Sequence, residues 1–153
     1  MIMDNLTTYN EVIAKLAEAK KCQDEIIGCN NELQQVNKAI RGTANIQFYN
    51  QLKEQRAKLF CRIDEQIKDR DEKLNEALSK ALDLADKDLE NQVNYNNSKG
   101  LEAMATILSY MFVNYIKIKY SSEVILKQER IINRAAKEIK YQSFINQLRM
   151  LRW

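Results

Sequence analysis

An all-α fold, either an elongated antiparallel three-helix bundle or a kinked four-helix version of it, is what this 153-residue sequence predicts. Three observations carry the prediction. The chain has no proline and only three glycines, so almost nothing interrupts helix formation. Steps of four, four and three residues from Phe48 pass through Leu52, Arg56, Leu59, Ile63, Ile67, Arg70, Leu74, Leu78, Ala81, Ala85 and Leu89, apolar except at the two arginines. Clear turn composition is confined to residues 41–45 and 94–100.

The first helix is expected over residues 5–41. Val12, Leu16, Ala19, Gln23, Ile26, Asn30, Leu33, Asn37 and Ile40 recur at heptad spacing, with Cys22, Cys29 and Val36 flanking that stripe. Three polar positions weaken the seam. The stripe keeps its phase across Gly28, which argues for one helix rather than two. Gly42 suits a helix C-terminus and Thr43 or Asn45 an N-cap, so a tight αα-hairpin is predicted there.

The second helix is expected over residues 45–93. Its eleven-residue repeat corresponds to about 3.67 residues per turn, so the apolar stripe holds one face with little supercoiling. A helix of that length needs others to lie against. Arg56 and Arg70 interrupt the stripe, and each is expected to reach along its aliphatic stem to a carboxylate.

A loop over residues 94–100 precedes the most apolar segment, 101–120, whose hydrophobic residues go round the helix: Leu101, Met104, Ile107, Leu108, Met111, Phe112, Val113, Tyr115, Ile116 and Ile118. Burial on most sides is the reading for such a helix. It is expected to continue or kink into a last helix over residues 122–150. The uncharged run between Glu102 and Lys117 falls short of the about 20 residues that span a bilayer, so a membrane segment is a minor alternative.

With reversals near residues 43 and 97, Tyr120 would lie beside about residue 74 at a common rise of about 1.5 Å per residue. Residues 82–112 would then form a two-helix end with an exposed hydrophobic patch. Patches of that kind mark partner surfaces. Met111, Phe112 and Tyr115, with Phe144, Leu148, Leu151 and Trp153 of the apolar C-terminal segment, are the candidate partner-binding residues.

The competing site is basic. Residues 117–152 hold nine Lys or Arg against three Glu, and Lys127, Arg130, Arg134, Lys137 and Tyr141 share one helical face able to track phosphates. Against it stands a simpler reading, in which this helix lies beside the acidic centre of the second helix and the charges offset each other. The chain's net charge is only +3.

Histidine is absent, which removes the most common general base and transition-metal ligand, and the three glycines are too isolated for a phosphate loop. No enzyme and no cofactor are expected. Asp86, Asp88 and Glu90 resemble the start of a calcium loop, but Asn91 stands at its glycine position and Asn97 at its glutamate position. Cys22, Cys29 and Cys61 form no CxxC pair and read as reduced thiols. The first ten residues lack a basic and apolar leader pattern, which fits a cytoplasmic protein or, if phage-encoded, a virion component. The sequence therefore predicts a structural, scaffold or adaptor subunit of viral, mobile-element or other origin, with a protein partner or a second copy of itself.

Overall fold

A computed structural model describes residues 2–137 and 141–149, apart from the side chains of residues 2–5, Tyr95, Ser143, Phe144, Gln147 and Leu148. The fold is all-α. Its elements are α1 (Ile2–Gly42), α2 (Ile46–Glu90), a 3-10 turn at Tyr95–Asn97, α3 (Lys99–Val113), α4 (Ser122–Ala135) and α5 (Gln142–Arg149). The chain divides into two compact units, one of residues 1–16 with 73–153 and one of residues 17–72.

The 17–72 unit is an antiparallel two-helix hairpin. Its core is Ile26, Cys29 and Val36 of α1 against Leu52, Leu59 and Ile63 of α2. The sequence stripe passes through Asn30 and Asn37, but the seam selects Cys29 and Val36 one position earlier and leaves Asn30 exposed. That choice keeps heptad spacing without burying an amide. Asn45 caps α2, its side chain accepting from the Phe48 N–H at 3.0 Å. Arg70 is held by Asp71, 2.9 Å away, and donates to Gln23 of α1 at 2.9 Å, while Arg56 meets no carboxylate among the described residues.

The larger unit packs helices around residues 74–89 of α2. There Leu74, Ala77, Leu78, Ala81, Leu82, Leu84, Ala85 and Leu89 are all buried, so this helix has neighbours on nearly every side. Each fully buried Leu contributes about 2 kcal/mol relative to exposure. Val12 and Leu16 of α1, Leu101, Met104 and Ile107 of α3, and Val124, Ile131 and Ala135 of α4 are buried as well, as is Ile145 of α5, a helix that packs on α4. Two ion pairs set the antiparallel register of α1 on α2, Glu11 with Lys80 and Lys15 with Glu76.

The expected continuous helix over residues 101–120 does not form, since α3 stops at Val113 and the chain reverses before α4. Asn75 fixes the reversal, donating to the Lys119 carbonyl at 3.2 Å and accepting from the Ser121 N–H at 2.8 Å. From there α4 runs parallel to α2, because the contacts advance together from Asn75 to Ser79 and Asp83 with Lys127, and to Asp86 with Arg134. The two-helix end predicted at residues 82–112 is therefore not left bare. Leu82, Leu84, Ala85, Leu101, Met104 and Ile107 are all buried.

The start of α3 shows why its predecessor ends where it does. Val93 N–H donates to Asp88 O at 2.9 Å and Gln92 N–H to Leu89 O at 3.1 Å, with Gln92 at φ 57°, which is a Schellman ending of α2. The Asp88 carboxylate, only 2% exposed, then accepts from the Ser98 hydroxyl at 2.7 Å and the Gly100 N–H at 2.9 Å. Ser98 in turn accepts from the Leu101 N–H at 3.2 Å. A carboxylate from the end of one helix thus accepts from one free N–H at the start of the next and holds the serine that caps another.

Candidate functional site

Apolar side chains left in solvent cluster in sequence at the end of α3. Phe112 is 73% exposed, Val113 67% and Tyr115 94%. Their exposure follows from how the helix terminates. Ile116 N–H donates to Met111 O at 2.8 Å and Tyr115 N–H to Phe112 O at 3.2 Å, a second Schellman ending in which Tyr115 takes the left-handed position at φ 54°. Both residues of its apolar closure, Met111 and Ile116, are buried.

The candidate partner-binding set divides accordingly. Met111 belongs to the core, because it closes the helix end from inside; Phe112 and Tyr115 stand on the surface with Val113, which the sequence reading did not single out. Leu151 and Trp153, and the side chains of Phe144 and Leu148, lie outside the described residues. On α4, Ile125 and Leu126 are also exposed.

Tyr115 occupies a position that favours glycine. A non-glycine residue there costs about 1 kcal/mol, and a bulky aromatic is uncommon at such φ. The strained residue also carries the most exposed large hydrophobic side chain among those described. Strain of this kind collects at functional sites.

The basic face of α4 has a different fate. Lys127 donates to the Ser79 hydroxyl at 2.7 Å and the Asp83 carboxylate at 3.0 Å, and pairs with Glu123 at 3.1 Å. Arg134 binds Asp86. Burial pulls the Lys127 ammonium down, yet hydrogen bonds and charge from Asp83 and Glu123 hold it above its ordinary range. Its hydrogen bond in turn holds the Glu123 carboxyl below the usual carboxylate range. Arg130 and Lys137 are exposed and Tyr141 is half-buried, so two of the four cations of the stripe, Lys127 and Arg134, pair with carboxylates of α2, and of these only Lys127 is half-buried. The offsetting of charge between these helices is realised in the geometry.

Of the acids with the calcium-loop likeness, Asp86 is occupied by Arg134 and Asp88 by Ser98 and the Gly100 N–H, while Asp83, one turn before them, pairs with Lys127. Among the described residues no group of three or more Asp, Glu, Cys or His side chains comes together to hold a metal ion. Cys29 is buried, Cys22 half-buried and Cys61 exposed, and none of the three is in a disulfide. No helix among the described residues is long and apolar enough to cross a membrane.

Sequence reasoning missed two features. The capping role of Asp88 had a signal, an acid followed ten residues later by a serine at a helix start, but a likeness to metal loops competes with it. The apolar residues Ile27, Ile46, Tyr49 and Phe60, exposed on the hairpin, fall off the main stripe, and Phe48, which begins that stripe, is exposed as well. Comparison of the chain with protein-family models, with curated proteins and with solved structures gives no match.

Proposed function

We propose that this protein is a non-enzymatic structural, scaffold or adaptor subunit of a larger protein assembly, acting through helix-helix contacts in the cytoplasm or, if phage-encoded, in a virion. The observation that carries the reading is the exposed set Phe112, Val113 and Tyr115 on a helix end whose backbone is fixed by two Schellman hydrogen bonds. Large aromatic groups on a rigid support lose little conformational freedom on docking, so they make efficient anchors for a partner. No cofactor is part of this reading. The basic face supports nucleic-acid binding less well, since Lys127 and Arg134 would have to leave their carboxylates first.

Isolation from the native source under gentle conditions tests the reading. Wild-type protein is expected to bring a stoichiometric protein partner that Phe112→Asp with Tyr115→Asp does not retain. Equal retention by both forms would contradict the role of this surface.

A further inference from the structure

The hairpin of residues 17–72 carries a second apolar surface, on one flank only. Glu25 of α1 and Arg62 of α2 form an ion pair across one side of the hairpin. Ile27 and Phe60 stand two residues from them, about 200° round their helices at 100° per residue. They therefore sit on the opposite flank. Moving two residues along one antiparallel helix and two back along the other preserves the level, so Ile27 and Phe60 share the level of that ion pair. Both are about half exposed, 46% and 49%.

The same flank continues toward the turn. Tyr49 lies eleven residues before Phe60, three turns within about 20°, and Ile46 one turn earlier. Tyr49 is 37% and Ile46 77% exposed. Lys53 lies over the Tyr49 ring, 5.3 Å from its centre. Arg41 stands fourteen residues beyond Ile27 and Asp24 three before it, so both fall near this face, and both are exposed.

Charge along the hairpin is polarised. The turn half, residues 33–58, has five basic residues against one acid, whereas residues 17–32 and 59–72 have nine acids against five basic residues. Two such hairpins laid antiparallel bring each positive half against a negative half, and laid parallel they oppose like charges. The apolar groups have the same symmetry. Phe60 and Tyr49 lie about 16 Å apart along α2 at 1.5 Å per residue, so a two-fold axis midway between them sets each against the other.

We infer that this flank binds a second copy of the same hairpin, antiparallel, so that Phe60 of each copy packs against Tyr49 of the other and Arg41 faces Asp24. The inference rests on the assembly-subunit reading but uses a different surface from Phe112 and Tyr115. Mixed charge disfavours the other occupants, because a nucleic acid or an anionic lipid surface would meet acids over half of the hairpin. Self-pairing turns a hairpin with one seam into a four-helix core with the apolar flank inside.

Sedimentation velocity of the full chain at micromolar concentration tests this. The wild type is expected at dimer mass. Phe60→Glu should raise the dimer dissociation constant roughly 30-fold or more, the effect of losing a central aromatic anchor, with the helical circular-dichroism signal unchanged. Arg41→Asp and Asp24→Arg should each weaken the dimer, and together restore it. A monomeric wild type, a dimer indifferent to Phe60→Glu, or a charge swap that fails to restore would overturn the inference. If the wild type is monomeric yet retains a partner through Phe112 and Tyr115, self-pairing fails and the assembly role stands.

Discussion

A Cβ on Gly100 would meet the backbone nitrogen of Ala85 at 2.2 Å and its Cα at 2.3 Å, so the first turn of α3 rests directly on the backbone of α2. Only glycine fits there. Gly100→Ala is expected to lower stability by about 3 kcal/mol, the upper range for overpacking, despite the better helix propensity of alanine. Urea denaturation measures it. Because the obstruction is backbone, adding Ala85→Gly should leave most of that loss in place; full rescue would show that the contact is with the Ala85 methyl alone.

Asp88 lies next to this contact and is buried with two donors. Asp88→Ala leaves the Ser98 hydroxyl and the Gly100 N–H without that acceptor, and a loss of about 3 kcal/mol is expected from charge-assisted bonds of this kind. Hydrogen exchange should show the faster-opening amides at the start of α3. An unchanged unfolding midpoint would mean that the carboxylate is not needed as a cap.

Tyr115 predicts an effect of the opposite sign. Tyr115→Gly relieves the left-handed backbone and should raise stability by up to about 1 kcal/mol, part of it returned to the greater freedom of glycine in the unfolded chain. The same variant should weaken partner retention. A residue that lowers stability while supporting binding is kept for the second reason, and a variant that loses both stability and binding would show instead that Tyr115 supports the fold.

Lys127 governs the alkaline limit. Its folded pKa is raised, so the stabilisation is complete below the unfolded value, near pH 10.4, and is lost as pH rises through the folded one. The Tyr120 phenol, pushed up by burial, acts in the same direction. Stability should therefore fall above about pH 10, and Lys127→Met should flatten that fall. At the acid end the depressed Glu123 carboxyl stabilises above its unfolded value and ceases to as pH falls through the folded one. Unfolding midpoints across this range check both limbs, and a Lys127→Met profile parallel to wild type would contradict the assignment.

The helical class and the first hairpin were legible in the sequence because propensity, spacing and the Gly42 to Asn45 punctuation agree. The reversal after Val113 was not. No glycine or proline marks it, since Tyr115 fills the left-handed position that glycine would have announced, and the apolar pattern runs on through Ile116 and Ile118. Missing that turn placed α4 in line with α3 and left a false bare patch over residues 82–112. At the site, exposure of Phe112 and burial of its neighbour Met111 follow from the same helix end, which a pattern apolar all round cannot resolve. An offset of charge between the basic last segment and the acidic second helix was expected from composition, but not the particular pairs Lys127–Asp83 and Arg134–Asp86, and α4 reaches α2 by running parallel to it and not antiparallel.

The central claim is that the chain works by joining other helices. Its most direct test is the native mass of the protein in a clarified extract of its source, compared with a Phe60→Glu, Phe112→Asp, Tyr115→Asp variant of equal helix content. Wild type is predicted to run well above monomer mass and the variant at monomer mass. A wild type that runs as a monomer both in extract and purified would contradict the account.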